Sequence, residues 1–320
     1  MVFIDAILFI AGIIMLVKGA DWLVNHATKV ARTFGVSEFL IGFTLIAFAT
    51  SLPELVVSLI SGLSGTAEIA TGTIVGSNIA NIGFILGLVI LIVPIGIEKT
   101  YMRDAYIMLV ASVLMAFMFI GGIIFFEGII LILLLIYQAN LYKIRHNKGF
   151  FTILYNFFHR KTEKTDISHN TGALLTDILI ILGSTVLLII GGWLTIASTI
   201  NIATLLRVPE YFISVLAIAL GTSLPEIATA LIAALKGYTN ISIGNIIGSN
   251  IFNISILGIT SLFTIVPVTK TLFTLDIPLM LMLTAVLVLF MYTKRSLSKL
   301  EGIILLAFYA AFVYLQFVSL

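Results

Sequence analysis

Residues 50–54 read TSLPE, and the same five letters recur at residues 222–226. A second block, GSNI at residues 76–79, recurs at residues 248–251, again 172 positions later. Over the 37 aligned positions that begin at Ile46, 20 residues are identical and no gap is needed. The matches include proline, glutamate, asparagine and glycine, so a shared hydrophobic composition does not explain them. The chain therefore contains an internal repeat.

The repeat lies in a chain with the composition of a membrane protein. Of its 320 residues, 60% are hydrophobic and 10% are charged, against about 45–50% and about 25% in soluble domains. A membrane-spanning helix needs about 20 predominantly apolar residues. Runs of that length lie at 3–31, 38–62, 69–95, 102–122, 124–142, 173–203, 210–235, 240–266, 272–292 and 299–318. We therefore predict an all-α polytopic membrane protein with ten transmembrane helices, the first and sixth of which are long enough to tilt.

A polar, basic loop at 143–172 divides the chain into two halves of five predicted helices each. Lys and Arg collect on the cytoplasmic side of membranes, so we expect this loop inside and both termini outside. Because five is an odd number, the halves 1–142 and 173–320 would cross the membrane in opposite senses and form an inverted repeat. Their most similar parts are about 42–90 and about 214–262. Inverted repeats are typical of secondary transporters, whose substrate site lies near the bilayer midplane.

The distribution of basic residues agrees with this topology. Of the 17 Lys and Arg residues, 14 fall inside and only Arg207 and Lys270 fall outside. The remaining one, Lys18, lies within the first predicted helix, where we expect it to pair locally with Asp21. The net charge is only +2 and there is no long basic block, which argues against nucleic acid as a partner.

Several kinds of chemistry are disfavoured by what the sequence lacks. It has no cysteine, which excludes disulfides, thiol catalysis and iron–sulfur clusters. It also has no P-loop, G-x-S-x-G or H-E-x-x-H motif. We therefore predict that the chain is not an enzyme and holds no cofactor.

Two acidic residues, Glu54 and Glu226, lie deep inside predicted helices. A charged side chain at this depth costs several kcal/mol, and such residues usually face a polar cavity and have a function. Each glutamate directly follows a proline, which deprives the carbonyl four residues earlier of its N–H donor. The structural alternative is a buried carboxyl group, protonated or paired with a basic residue, but Lys18 cannot neutralise both.

Residues that offer oxygen atoms share a helix face with each glutamate, at spacings i, i+3 and i+7, with a serine beside them. The first set is Ala47, Thr50, Ser51 and Glu54, and its repeat is Ala219, Thr222, Ser223 and Glu226. In the helices that carry the GSNI blocks, two further pairs are spaced i, i+4 and so share a face. These pairs are Ser77 with Asn81 and Ser249 with Asn253.

All of these groups are hard oxygen donors, the ligand class that Ca²⁺ and Na⁺ favour. The sequence therefore predicts a buried cation site formed by both copies of the repeat. For Asn81 and Asn253, hydrogen bonding between helices is the alternative to a role at the ion.

With these motifs and the ten-span layout, the sequence resembles the cation/calcium antiporter superfamily, and in particular the prokaryotic sodium/calcium exchangers. The two similar parts would be the alpha-repeats of that family, whose helices form a cage for one Ca²⁺ or about three Na⁺ ions in alternation. The resemblance implies Glu54 and Glu226 as shared carboxylates and Thr50 and Thr222 as ligands of both ions. It also implies carbonyl donation by Ala47 and Ala219. The implied sodium ligands are Ser51, Ser223, Ser77 and Ser249, with Asn81 and Asn253 at the centre.

The chain departs from the family pattern at three positions. Ala49 stands where glycine usually precedes Thr-Ser, Thr73 stands where Asn is frequent, and Asn253 stands where some relatives have aspartate. The predicted cage then holds two carboxylates, a formal charge of −2, which balances one Ca²⁺ and leaves an excess of one positive charge with three Na⁺. The stoichiometry does not follow from the sequence.

The leading hypothesis is an electrogenic Na⁺/Ca²⁺ antiporter that works by alternating access in the cell membrane, in contact with lipid. In this hypothesis the long first and sixth helices move past the other spans. An H⁺-coupled cation exchanger on the same scaffold is the alternative, and a cation channel or a non-transporting scaffold are weaker ones. The sequence does not decide the oligomeric state, and a monomer is compatible with it.

Overall fold

The computed structural model describes residues 2–146, 171–206, 221–293 and 296–318, and nearly all of them are helical. The helices are α1 (Val2–Phe34), α2 (Glu38–Thr50), α3 (Leu52–Leu63), α4 (Ala67–Ile92), α5 (Lys99–Met118), α6 (Phe125–His146), α7 (Thr171–Leu205), α8 (Leu224–Leu235), α9 (Thr239–Ser261), α10 (Leu272–Thr293) and α11 (Lys299–Val318). Two short strands, β1 (Ile95–Gly96) and β2 (Ser296–Leu297), pair antiparallel.

The two longest helices, α1 and α7, have 33 and 35 residues. At 1.5 Å per residue each is about 50 Å long, well beyond a hydrocarbon core of about 30 Å. They pack against each other around two glycines, because a Cβ at Gly191 would lie 2.9 Å from the Gly12 carbonyl oxygen. Their outer faces carry many exposed apolar side chains, such as Ile10 and Leu182.

The remaining helices form a second body around α4 and α9, the most deeply buried helices of the described residues. Its core is built from aliphatic side chains such as Ile74, Ile82, Ile247 and Leu283. Because α4 and α9 are each covered by neighbours, the polar residues on them are kept from lipid.

The chain breaks its helical path at both TSLPE motifs. Ser51 has φ −86° and ψ 8°, and Ser223 has φ −87° and ψ 1°, so neither residue continues a helix. Pro53 and Pro225 then lie in the first turns of α3 and α8, where the missing N–H costs no helical bond. The angle between α2 and α3 is 43°. The single helix predicted at 38–62 is therefore two helices, because the proline begins a new helix instead of loosening one.

Three stretches widen locally into π-helix, at Gly42–Ile46, Ala80–Leu86 and Leu272–Asp276. A π-helical turn inserts extra backbone into a helix and is frequent at functional sites. The second stretch contains Asn81, so it alters the direction of that side chain relative to a regular helix.

Loop contacts close both ends of the second body. At one end, Ile95 and Gly96 between α4 and α5 pair with Leu297 and Ser296 between α10 and α11. At the other end, Ile123 between α5 and α6 pairs with Val266 between α9 and α10.

Charged residues link α1 to its neighbours at one end. Asp21 forms an ion pair with Lys236, whose ammonium group also donates to Asn25 Oδ1 at 2.7 Å. His26 Nδ1 lies 2.6 Å from Asp177 Oδ1 on α7. The predicted pair of Lys18 and Asp21 is wrong, because Lys236 at the end of α8 reaches Asp21 and Lys18 is exposed.

By length and composition, seven of the described helices qualify as membrane spans, or eight if α2 and α3 together count as one. Two shorter apolar helical stretches, Phe125–Gln138 and Leu224–Leu235, accompany them. The predicted all-helical, multi-pass membrane class is confirmed. The ten-helix inverted arrangement and the division at 143–172 stay predictions, because most of that loop and the first part of the predicted span 210–235 lie outside the described residues.

Candidate ion-binding site

Glu54 and Glu226 occupy matching places at the broken helices. Each lies in the first turn of its helix, α3 or α8, directly after the proline. Their side chains are 0% and 1% exposed. The N-terminus of a helix carries a partial positive charge and free N–H groups, which stabilise a nearby carboxylate. The helix break therefore places each carboxylate where the backbone itself favours an anion.

Hydroxyl groups bind one oxygen of each carboxylate. Ser77 Oγ on α4 donates to Glu54 Oε1 at 3.2 Å, and both residues belong to the first copy of the repeat. Ser51 Oγ donates to Glu226 Oε1, also at 3.2 Å, and this bond joins the first copy to the second. The two glutamates are also near enough to interact electrostatically.

Further hydroxyl contacts join these bonds into one cluster. Ser223 Oγ donates to Ser77 Oγ at 3.2 Å, and Thr222 Oγ1 lies 3.3 Å from the same atom. Thr50 Oγ1 donates to Asn245 Oδ1 at 3.3 Å. Ser77 is therefore the central hydroxyl, in contact with three groups from α3 and from the segment that precedes α8.

Several buried atoms of the cluster have no hydrogen-bond partner among the described residues. They are Glu54 Oε2, Glu226 Oε2, Ser249 Oγ, Asn253 Oδ1 and both side-chain polar atoms of Asn81. Buried polar atoms are normally satisfied, and an unpaired buried charge is especially costly. The oxygens among these atoms have the chemistry of cation ligands.

No basic residue neutralises the glutamates within the described part of the chain. The ion pairs there involve Asp21, Asp104 and Asp177, and neither Glu54 nor Glu226. Among the same residues, no group of three or more Asp, Glu, His or Cys gathers at one place. The donor set is therefore two carboxylates surrounded by neutral oxygens, which fits hard cations such as Ca²⁺ and Na⁺.

Of the two predicted carbonyl donors, Ala47 and Ala219, the first lies within the described residues. The Ala47 carbonyl already accepts the Ser51 N–H at 3.1 Å and the Thr50 hydroxyl at 3.4 Å. A carbonyl has two lone pairs, so these bonds compete with an ion for the same oxygen. Ala219 lies outside the described residues.

Two asparagines that the sequence reasoning did not assign to the site hold its helices together. Asn78 on α4 donates to the Asn250 carbonyl on α9 at 3.3 Å and accepts from Asn253 Nδ2 at 3.1 Å. Asn245 accepts the Thr50 bond described above. Asn78 and Asn250 are the last polar residues of the two GSNI blocks, so their recurrence in the repeat could have indicated Asn78 from the sequence. No pattern in the sequence pairs Thr50 with Asn245, because the bond depends on how α2 and α9 cross.

The chain is similar in sequence to a known protein family and to individual members of it. The model of the family described as sodium/calcium exchanger protein matches residues 4–141 and 176–318. The sodium/calcium exchanger MaX1 of Methanosarcina acetivorans is 33% identical, over 99% of this chain and 99% of that protein. The inner membrane protein YrbG of Escherichia coli is 32% identical, over 92% of this chain and 91% of that protein.

Solved structures of the sodium-calcium exchanger NCX_Mj share the fold. A structure of that protein soaked without Na⁺ and Ca²⁺ superimposes with a TM-score of 0.84 at 28% identity, over 98% of this chain and 99% of the other. One soaked with 10 mM Na⁺ and no Ca²⁺ has a TM-score of 0.83 at the same identity and coverage.

Proposed function

Because this chain belongs to the sodium/calcium exchanger protein family, we propose that it exchanges Na⁺ for Ca²⁺ across the membrane, with Glu54 and Glu226 as ligands that both ions share. The observation that carries this proposal is the pair of fully buried carboxylates, each with one oxygen left without a hydrogen-bond partner among the described residues. The hydroxyls and amides around them supply neutral oxygens. The family is one of transporters, in keeping with the absence of a catalytic motif in the sequence.

Competition for the two carboxylates would couple the ions. One Ca²⁺ neutralises the −2 charge of the pair, whereas Na⁺ ions would divide between the carboxylates and the hydroxyls of Ser51, Ser77 and Ser223. If the cage binds either Ca²⁺ or Na⁺ at one time, the two kinds of ion cross the membrane in separate half-cycles. In alternating access, α1 and α7 would slide past the second body, which is consistent with the close glycine contact that joins these two helices.

The proposal includes an electrogenic cycle. Three Na⁺ ions in the cage would leave an excess of one positive charge, whereas one Ca²⁺ leaves none. Exchange of three Na⁺ for one Ca²⁺ would then move one net charge in each cycle.

We propose further that the chain is an inverted repeat in the cell membrane, with both termini outside and the loop 143–172 in the cytoplasm. The loop contacts support this, because the repeat relates the α4–α5 loop to the α9–α10 loop, and the α10–α11 loop to the α5–α6 loop. The loops that form the β1–β2 pair at one end therefore correspond to the loops that form the Ile123–Val266 pair at the other end. Equivalent contacts at opposite ends are what an inverted repeat predicts. Lys29 and Lys236, both expected inside, also lie at one end, near Asp177 and Asp21 respectively.

The proposal needs neither a cofactor nor a second copy of the chain. The exposed apolar faces of α1 and α7 would contact lipid.

The test is Ca²⁺ uptake into proteoliposomes that contain the purified protein, against imposed Na⁺ and H⁺ gradients. We expect an outward Na⁺ gradient to drive uptake. Glu54→Gln and Glu226→Gln should each raise the half-saturating Ca²⁺ concentration by about 30-fold or more, since loss of one charge of a buried, hydrogen-bonded group costs about 2–5 kcal/mol. The matched control is Glu127→Gln, which changes a glutamate that caps the start of α6 through the Ile124 N–H.

Uptake that ignores the Na⁺ gradient, or that survives both substitutions, contradicts the proposal. An H⁺-coupled exchanger is the second candidate, because the unpaired oxygens of Glu54 and Glu226 can also take a proton. It predicts uptake driven by a pH gradient without Na⁺. A channel would show no stimulation of labelled Ca²⁺ uptake by unlabelled Ca²⁺ on the other side of the membrane.

A further inference from the structure

Most buried serine and threonine hydroxyls in these helices are bonded to their own helix. Thr28, Ser112 and Thr284, for example, each donate to the carbonyl four residues earlier, at 2.7–2.8 Å. On α9, Ser255 and Thr260 do the same at 3.0 Å. This back-bonding is the ordinary way to satisfy a hydroxyl within a membrane helix, where no water competes.

Among the described residues, three fully buried hydroxyls outside the proposed ligand set make no such bond. Ser58, Thr229 and Ser242 are each 0% exposed, and none has a hydrogen-bond partner among the described residues. We call these three the access hydroxyls. A buried hydroxyl that makes no bond to its own helix and has no partner among the described residues has the chemistry of a ligand for an ion.

Each access hydroxyl lies one helical turn from a member of the site. Ser58 follows Glu54 by four residues on α3, and Thr229 follows Glu226 by three on α8. Ser242 precedes Asn245 by three on α9. Residues three or four apart share a helix face, so the access hydroxyls extend the polar face of the site along the helices.

The access hydroxyls lie on opposite sides of the glutamates. α8 and α9 are antiparallel and joined by a tight turn in which the Tyr238 N–H donates to the Ala233 carbonyl at 2.9 Å. Thr229 and Ser242 therefore both lie toward this turn. Ser58 lies toward the opposite end of α9, because α3 ends beside it, where a Cβ on Gly62 would meet Thr260 at 2.7 Å.

The access hydroxyls are not equivalent to one another through the internal repeat. At a separation of 172 residues, Thr229 corresponds to Val57, Ser242 to Ala70, and Ser58 to Ala230. Each access hydroxyl thus has an apolar counterpart in the other copy. Among the described residues, the two sides of the site therefore differ, with two access hydroxyls toward the α8–α9 turn and one on the other side.

We propose that the access hydroxyls are cation ligands on the two routes to the glutamates, Thr229 and Ser242 on the side of the α8–α9 turn and Ser58 on the opposite side. The ion that these hydroxyls would bind is a partly dehydrated alkali-metal ion, here Na⁺. Hydroxyls are neutral hard donors, and this set contains no carboxylate that would add a negative charge. This inference rests on the proposed Na⁺/Ca²⁺ exchange. It adds to that proposal that each face of the membrane has its own set of Na⁺ ligands.

The experiment measures Na⁺-driven release of labelled Ca²⁺ from right-side-out and everted membrane vesicles, which expose opposite faces to added Na⁺. We expect Thr229→Val and Ser242→Ala to raise the half-saturating Na⁺ concentration about threefold on one face, the same face for both, as expected for the loss of one neutral ligand. Ser58→Ala should raise it on the other face. In each variant the second face should keep its wild-type value.

Controls separate a ligand role from a packing role. Ser255→Ala and Thr260→Val remove back-bonded hydroxyls on α9 and should leave both faces unchanged. Thr229→Ser and Ser242→Thr keep the hydroxyl and should restore the wild-type half-saturation.

Equal shifts on both faces, or no shift on either, would overturn the inference even when the wild-type protein exchanges normally. If the wild-type protein itself shows no Na⁺-driven Ca²⁺ release, the proposed function fails, and this inference fails with it.

Discussion

At the scale of single residues, Ser77 stands out because its hydroxyl contacts three groups of the site. It donates to Glu54 and lies within hydrogen-bond distance of Ser223 and Thr222. Ser51, by comparison, makes one side-chain bond, to Glu226. The two serines were equivalent in the sequence, since each was a predicted oxygen donor. In the structure, Ser77 therefore contacts more groups of the site than Ser51 does.

We predict that Ser77→Ala weakens Ca²⁺ binding about tenfold, because a hydrogen bond to a charged group contributes about 1.5–3 kcal/mol. The half-saturating Ca²⁺ concentration in flux assays measures this effect. Ser112→Ala is the matched control, since Ser112 is also buried but donates to the Met108 carbonyl on α5. Equal effects of the two substitutions would show that Ser77 acts through general packing.

At the residue level, the sequence singles out residue types that are unfavourable in lipid. It predicts Glu54 and Glu226 as site residues because carboxylates are rare and costly at that depth and occur at matching places in the repeat, and the structure buries both side chains. The GSNI block marks Asn78 as a residue of interest, but the partners that Asn78 and Asn245 bind were not predictable. An asparagine at a helix crossing can face its own copy or the other one, and only the packing of α4 against α9 decides which.

At the scale of elements, the contact between α1 and α7 depends on glycine. A Cβ at Gly191 would meet the Gly12 carbonyl oxygen and the Leu16 nitrogen, both at 2.9 Å. These are backbone atoms, which cannot rotate away, so any side chain there forces the helices apart. Small residues at helix crossings are a general device of membrane proteins, where close packing drives association.

We predict that Gly191→Ala lowers stability by about 1–3 kcal/mol, the usual cost of overpacking. The measurement is thermal unfolding of the detergent-purified protein. Gly183→Ala is the control on the same helix, because a Cβ there meets nothing within 4 Å, and it should leave the midpoint unchanged or raise it slightly. A lower midpoint for Gly183→Ala, with none for Gly191→Ala, would contradict the importance of this crossing.

The positions of the helices were predictable, but the breaks within them were not. Within the described residues, the apolar runs predicted the helix ends to within about five residues, since about 20 apolar residues are needed to cross a membrane. Pro53 indicated disturbed backbone, but a proline can either kink a helix or begin a new one. The outcome depends on Ser51, whose backbone leaves the helical region directly before α3.

At the scale of the whole molecule, the topology can be tested directly because the natural sequence has no cysteine. Single cysteines can therefore be labelled selectively. Ser64 and Lys99 are exposed and lie near opposite ends of α4. We predict that a membrane-impermeant maleimide labels Ser64→Cys in intact cells and labels Lys99→Cys only after permeabilisation. The reverse pattern would place both termini in the cytoplasm and invalidate the assignment from the basic loop.

The charge of the cage sets the last prediction. The proposed cage has two carboxylates, and Asn253 lies where an aspartate would add a third. One Ca²⁺ would therefore leave the cage with no net charge, and three Na⁺ would leave it with one excess positive charge. Moving one charge through the membrane potential is worth about 2.3 kcal/mol per 100 mV. The Ca²⁺ accumulation ratio at equilibrium should therefore change about 50-fold when the potential of proteoliposomes is shifted by about 100 mV. The potential is set with a K⁺ gradient and valinomycin at a fixed Na⁺ gradient. A ratio that does not respond to the potential would indicate an electroneutral exchange of two Na⁺ for one Ca²⁺, in which the third sodium position of the family is not used.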